Sequence, residues 1–264
     1  MSGFVLNRRR LIVGGASAGL LGLSGCGDKF AENPTVLNGL RAGEDATYAW
    51  QRLIEGRGAL AREFAVADIS AHFKANGSTQ VGTDEYDAML DGGFADWRLK
   101  VDGLVQRPLA LSLAQIKALP QRTQITRHDC VEGWSAIGMW SGPQLARVLG
   151  AAGVLKGARF VVMHCMDNLD GEPAKGGAQA PGQYYESIDL VDAFHPQTIL
   201  AHSLNSQPLD EAHGAPLRLR VERQLGYKHA KYLARIEVTD SLARLGMGRG
   251  GYWEDRGYEW YAGI

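Results

Sequence analysis

Apolar and polar positions change period several times along this chain, and the changes mark out short strands and helices. Trp97, Leu99 and Val101 alternate with polar neighbours, the period-two signature of a half-buried strand, and Asp102-Gly103 follows as a turn. Gln121 to His128 predicts a second strand, and Ala158 to Cys165 is apolar enough for a strand buried on both faces. Further strands are predicted at Thr198 to His202, Pro216 to Val221 and Lys231 to Val238. Between them lie short helices. Ser112 caps one that Pro120 stops, Pro143 sits at the first turn of one that Gly153 ends, and Ile188 to Phe194 forms another. A Gly/Ser-rich loop follows Cys130, and a Gly/Ala/Pro-rich loop runs from Asp167 to Gly182. The elements are short and do not alternate regularly, so the expected class is α+β with a mixed sheet.

The ends of the chain read differently. Arg8-Arg9-Arg10, an apolar run and then Leu23-Ser24-Gly25-Cys26 have the order of an export signal with a twin-arginine address and a lipobox. Residues 1–25 are then a cleavable signal, and Cys26 carries a lipid that anchors the protein on the periplasmic or cell-envelope side of a membrane. An ordinary export signal and a free Cys26 are the plainer alternatives. Residues 26–65 read as a tether and entry segment, with a tether to about residue 45 and an irregular helix over 46–64 broken by Gly56 and Gly58, leaving 66–264 as the functional domain. The aromatic stretch from Gly251 to Tyr261 reads as a flap packed across the surface, with a partner-docking tail as the alternative.

Composition narrows the function. Lys and Arg total 28 against 29 Asp and Glu, and no basic stripe suggests a nucleic acid partner. No C-x-x-C, C-x-x-C-H, G-x-G-x-x-G or P-loop occurs in the 264 residues, which argues against a built-in iron–sulfur cluster, c-type haem or dinucleotide. Beyond Cys26 only Cys130 and Cys165 remain, and a disulfide between them is one reading. The other starts from position. Cys130 stands at the seam between a strand and a loop, where a thiolate can reach a bound metal; a cysteine in an apolar run, such as Cys165, is more often core.

Three blocks then carry a resemblance. Cys130-Val131-Glu132-Gly133-Trp134-Ser135 with Trp140-Ser141-Gly142 is the first. Asn205-Ser206-Gln207-Pro208-Leu209 with His213-Gly214-Ala215-Pro216-Leu217-Arg218 is the second, and Gly226-Tyr227-Lys228-His229-Ala230-Lys231-Tyr232 is the third. In order and spacing the chain from Phe73 to Ile264 resembles the sulfite-oxidase-type molybdopterin-dependent oxidoreductases, most nearly the periplasmic methionine-sulfoxide reductase catalytic subunits. The resemblance implies a mixed-sheet, sulfite-oxidase-like molybdopterin-binding fold and a molybdenum-molybdopterin cofactor whose metal is ligated by Cys130. It implies cofactor contacts from Phe73, Asn76, Cys165, Asp167, His213, Arg218, His229, Ala230 and Lys231, and a catalytic hydrogen bond from Tyr184. It also implies oxygen-atom transfer, the reduction of an S-oxide or N-oxide with electrons from a separate haem or quinol-linked partner. A sulfite-type dehydrogenase and a metal-free binding module that kept the fold are the alternatives. Sulfite oxidases place an arginine soon after the metal cysteine. Here Val131-Glu132-Gly133-Trp134 brings no cation, and a carboxylate there repels a dianion.

Overall fold

The computed structural model describes residues 34–170 and 182–264. The signal, the lipobox with Cys26, the first part of the tether and most of the Gly/Ala/Pro-rich loop lie outside the described residues.

The chain divides into two compact units, 1–53 and 54–264. The first contributes a 22-residue helix, Pro34–Glu55. The helix expected over 46–64 therefore starts earlier, inside the expected tether, and stops sooner. Gly39 and Gly43 read as breakers, but single glycines cost a helix only about 1 kcal/mol each, and Leu40, Ala42, Ala46 and Ala49 around them favour it. Gly56, at φ +71°, ends it. The irregular entry assigned up to residue 65 belongs in part to the second unit, where Phe64 N–H donates to the Ile125 carbonyl and extends a sheet edge.

The second unit is built on β1 (Arg98–Gly103), β2 (Leu109–Ser112), β3 (Gln121–Asp129), β4 (Ser135–Pro143), β5 (Phe160–Asn168), β6 (Gln183–Asp189), β7 (Thr198–Ala201), β8 (Ser203–Leu204), β9 (Gln207–Pro208), β10 (Arg218–Val221) and β11 (Leu233–Thr239). One sheet has the order β2-β1-β11-β5-β6. Its β1–β11 pair is parallel and the rest are antiparallel, so the sheet is mixed as expected. Leu99 and Val101 point into the core from β1 while Arg98 and Lys100 face out. In β5, flanked on both sides by strands, Val161 to Cys165 are all buried. A second sheet runs β3-β4-β8-β9, and β10 pairs with β7 alongside it.

Local rules account for the helices that position these sheets. Ser112 Oγ accepts from Gln115 N–H and Gln115 returns the bond, a reciprocal cap for the helix Leu113–Ala118. Leu145, Val148, Leu149 and Ala152 form the buried stripe of the helix Leu145–Ala152, which Gly153 ends at φ +73°.

Three elements differ from expectation. Pro143 closes β4 rather than opening a helix, because Gln144 stays extended to bridge Ile199. The loop expected after Cys130 is a four-residue turn followed by strand β4. The glycines that disguise that strand let it pack closely: a Cβ on Gly142 would strike the Leu200 carbonyl, and one on Gly138 would meet Leu204 and Phe73. Tyr184 and Tyr185 lie in β6, a strand that the pattern along the chain did not predict. The helix after them is a single turn, Leu190–Ala193, capped by Asp189.

Candidate active site

Strand β3 delivers Cys130 to the edge of a cleft with about 660 Å³ of empty space, part of it open to solvent. The chain turns sharply there. Gly133 N–H donates to the Cys130 carbonyl, Cys130 N–H donates to the Trp134 carbonyl, and Gly133 takes φ +84°. The turn leaves Cys130 half-buried, its sulfur free. Burial pushes the thiol above its ordinary range, and a bound cationic metal would reverse that shift.

The cleft has a buried polar side and an exposed apolar side. Asn76, Asp167, His229 and Lys231 are all buried. Ser78 joins them, its hydroxyl donating to Asp167 Oδ2 and its carbonyl accepting from Lys231 Nζ and Tyr232 Oη. The other side is made by Val131, Leu169, Trp253 and Tyr258. Tyr184 and Tyr227 also line it, and the Tyr184 hydroxyl donates to the Tyr227 carbonyl.

The polar side has unmet needs. Asp167 Oδ1, His229 Nδ1 and Arg218 Nε are buried with no partner among the described residues. Arg218 is fully buried and has no carboxylate partner among them. Its hydrogen bonds go to the His213 carbonyl at 3.1 Å, and to Asn76 Oδ1 and the His229 carbonyl at 3.4 Å. Burial, with Arg220 beside it, pulls its guanidinium down to about 9. Burial and Arg218 pull Lys231 down to about 7, and burial raises Asp167 to about 6. Orphaned buried polar atoms in native proteins call for a partner. Among the described residues neither Arg218 nor Lys231 has a carboxylate in direct ion-pair contact, although Asp167 and Asp210 attract Lys231 from farther off, and such a pair of buried cations suits an anionic ligand.

Of the residues expected at the site, Asn76, Cys130, Asp167, Tyr184, His229 and Lys231 line the cleft. Arg218 stands behind Asn76 and His229. Four others have structural places instead. Phe73 is buried edge-on against Trp140. His213 bonds Asp210 through Nδ1 and the Phe73 carbonyl through Nε2, so both ring nitrogens are used in tying the entry segment down. Cys165 is fully buried in β5, where apolar packing selects it as a small hydrophobe. Ala230 is buried, and its carbonyl accepts from Leu219 N–H. With Cys130 and Cys165 both free, the disulfide reading falls.

The loop after Cys130 carries no cation of its own, as its sequence showed, but one reaches it from the entry segment. Lys74 reaches Glu132 at 3.4 Å and sits 5.1 Å from the Trp134 ring centroid. Only folding brings this residue of the entry segment there. Ser78, Tyr227, Trp253 and Tyr258 were also missed, although the last two fall in the stretch read as a flap. Among the described residues no group of three or more His, Cys, Asp or Glu side chains is placed to hold a metal ion. The donor set is thus one thiolate beside a polar, cation-bearing wall. That suits a soft metal whose other ligands come with an anionic organic cofactor.

Comparison with known proteins agrees. Residues 87–244 match the family model of the oxidoreductase molybdopterin binding domain. The chain is 43% identical over 169 residues to a putative protein-methionine-sulfoxide reductase subunit, YedZ1, of Azospira oryzae, covering 64% of this chain and 56% of that relative. It is 28% identical over 248 residues to the protein-methionine-sulfoxide reductase catalytic subunit MsrP of Xanthomonas axonopodis pv. citri, covering 89% of this chain and 71% of that one. A chain of the sulfane dehydrogenase SoxCD from Paracoccus pantotrophus superposes with a TM-score of 0.47 at 21% identity, over 56% of this chain and 39% of its own. With the matched region covering more than half of the chain, including every strand from β1 to β11 and Cys130, the chain belongs to the oxidoreductases of the molybdopterin-binding domain family.

Proposed function

We propose that this chain reduces S-oxides, methionine sulfoxide among them, with electrons from a separate redox partner. The supporting observation is convergence. The free Cys130 sulfur, the buried cations Arg218 and Lys231, which have no carboxylate in direct contact among the described residues, and the orphaned atoms of Asp167 and His229 all belong to one cleft or its immediate backing. Cys130 would ligate the metal. Arg218 and Lys231 would balance the anionic end of the cofactor, while Asn76, Asp167 and His229 would bond its polar edges. When bound, the cofactor supplies two-electron redox chemistry at the metal.

The overall conversion takes an S-oxide, two electrons and two protons to a thioether and water. The chain's own part is binding and orientation. Val131, Trp253 and Tyr258 make the mouth apolar, and Lys74 and Glu132 at the lip neutralise one another. Such a mouth favours an uncharged S-oxide over a dianion such as sulfite. Both methionine-sulfoxide reductase relatives are named as subunits, which supports a separate electron donor, haem or quinol-linked. The export signal and the lipid on Cys26 belong to the same proposal and rest on the N-terminal sequence. Labelling with a radioactive fatty acid, lost in Cys26→Ser, tests the anchor.

The function itself is tested with holoenzyme in paired assays. Reduced-dye oxidation driven by methionine sulfoxide, abolished in Cys130→Ala with the fold retained, is expected. Sulfite-dependent reduction of an artificial acceptor, without S-oxide turnover, would reverse the proposed direction. Normal turnover by Cys130→Ala would remove the metal assignment.

A further inference from the structure

We propose that the C-terminal aromatic wall, Trp253 with Tyr258, recognises the methionyl sulfoxide side chain of a polypeptide substrate. The inference rests on the S-oxide reading above and adds the part of the chain that selects the substrate.

The wall is a built feature. The Trp253 and Tyr258 rings stack with centroids 5.2 Å apart and planes at 27°. Tyr227 meets Tyr258 edge-on at 5.2 Å, and Tyr252 meets Trp253 in the same way. The segment that carries the stack is fixed from below. Glu254, next to Trp253, is buried and ion-paired with the buried Lys228, which also binds Glu186. Tyr252 N–H donates to the Tyr185 carbonyl at 3.0 Å, and Tyr227 Oη donates to the Glu259 carbonyl at 2.6 Å.

A rigid base under an exposed ring is what a recognition surface needs, since little ordering remains to be done on binding. Tyr258 is 40% exposed and lines the cleft with Cys130. Val131, in the turn beside Cys130, is 43% exposed, so the mouth admits a side chain presented on a polypeptide.

Chemistry picks the ligand class. Methyl and methylene groups flanking sulfur pack well on aromatic rings, and sulfur–ring contacts near 5 Å are favourable. A sulfoxide is polar but uncharged, so it enters without the cost of stripping water from an ion. An oxyanion gains nothing from the electron-rich ring faces, and Lys74, at the lip, is already engaged by Glu132.

The test uses holoenzyme and two substrates, N-acetyl-methionine-sulfoxide methylamide and dimethyl sulfoxide. The readout is the ratio of their kcat/KM values in wild type, Tyr258→Ala, Trp253→Ala and Tyr258→Phe. Tyr258→Ala is the primary variant because its ring is exposed, whereas Trp253 adjoins the buried Glu254. The ratio should fall roughly tenfold in the alanine variants, through KM, and return in Tyr258→Phe. Calorimetric Kd for the thioether product, N-acetyl-methionine methylamide, should rise by a similar factor. An unchanged ratio, or an equal loss for both substrates, overturns the wall assignment. If wild type reduces no S-oxide, the function proposed above fails. The thioether Kd still decides the wall, since equal values in wild type and Tyr258→Ala overturn it.

Discussion

Arg218 and Arg220 sit two residues apart on β10, both fully buried and both facing the Trp140 ring, at 4.9 and 4.5 Å from its centroid. Arg220 is satisfied within the chain. Its fork bonds Glu222 through Nε at 2.9 Å and Nη2 at 2.6 Å, and Nη1 meets His128. Arg218 has carbonyl and amide oxygens but no carboxylate among the described residues, and its Nε has no partner. Elsewhere in the unit, buried cations share with Arg220 a carboxylate in direct contact: Arg223 pairs with Asp192, and Lys228 pairs with Glu186 and Glu254, although Arg223 Nε, Glu186 Oε2 and Glu254 Oε2 have no partner among the described residues. The polypeptide completes its structural charges with carboxylates. Among the described residues, the buried Lys and Arg side chains without a carboxylate in direct contact are Arg218 and Lys231, at the cleft and its backing. On the function proposed above, the difference separates charges that hold the fold from charges that a ligand completes.

The largest effect that could break this comparison comes from removing Arg220. Arg220→Met strands the Glu222 carboxylate in the core, and the loss should be about 3–5 kcal/mol, read from denaturant midpoints of cofactor-free protein. Arg218→Met should behave oppositely in the same protein. It removes an uncompensated buried charge, so stability should hold or rise by about 1 kcal/mol. A loss as large as that of Arg220→Met would mean that Arg218 is structural after all.

A smaller effect is a pH signature of the cofactor-free cleft. Asp167, raised to about 6, keeps its proton in the folded state where the unfolded chain loses it near 3.8, so its contribution to stability falls as pH rises through that window. Lys231, lowered to about 7 from an ordinary 10.5, is penalised while charged, and that penalty lifts as pH climbs above 7. Stability should therefore dip between about 6 and 7 and recover on both sides, with an amplitude of about 1–3 kcal/mol. The double variant Asp167→Asn, Lys231→Met should flatten the dip in urea midpoints measured across pH. A dip that survives the double variant would place its origin elsewhere. The smallest effect is expected at the lip. Lys74 and Glu132 are more than half exposed, so Lys74→Ala should cost less than about 1 kcal/mol by the same assay.

What the sequence disclosed follows the range of the forces involved. Strand β3, the Ser112 cap and the Gly153 stop depend on neighbours within a few residues, so periodicity and capping chemistry revealed them. Strand β4 was hidden because Gly138 and Gly142 serve contacts with Leu200, Leu204 and Phe73, which lie far away in the chain. Of the expected site, Cys130, Asn76, Asp167, Tyr184, His229 and Lys231 lie on the cleft. His213 and Phe73, expected at the cofactor from the resemblance, do not line the cleft; they bond one another and support the entry segment. Trp253 and Tyr258 escaped because an aromatic run gives no hint of what it covers. Their place is set by Glu254 reaching Lys228, 26 residues away. Nor does the order of residues show that Arg220 has a carboxylate and Arg218 does not.

The most direct test of the central claim, that the cleft is a cofactor site lacking an anion the chain does not supply, is metal content. Elemental analysis of wild type made in cells that supply the cofactor should find about one molybdenum per chain, with the metal depleted in Arg218→Met although that variant remains folded. Folded wild-type protein carrying no molybdenum above background, or Arg218→Met retaining a full complement, would contradict it.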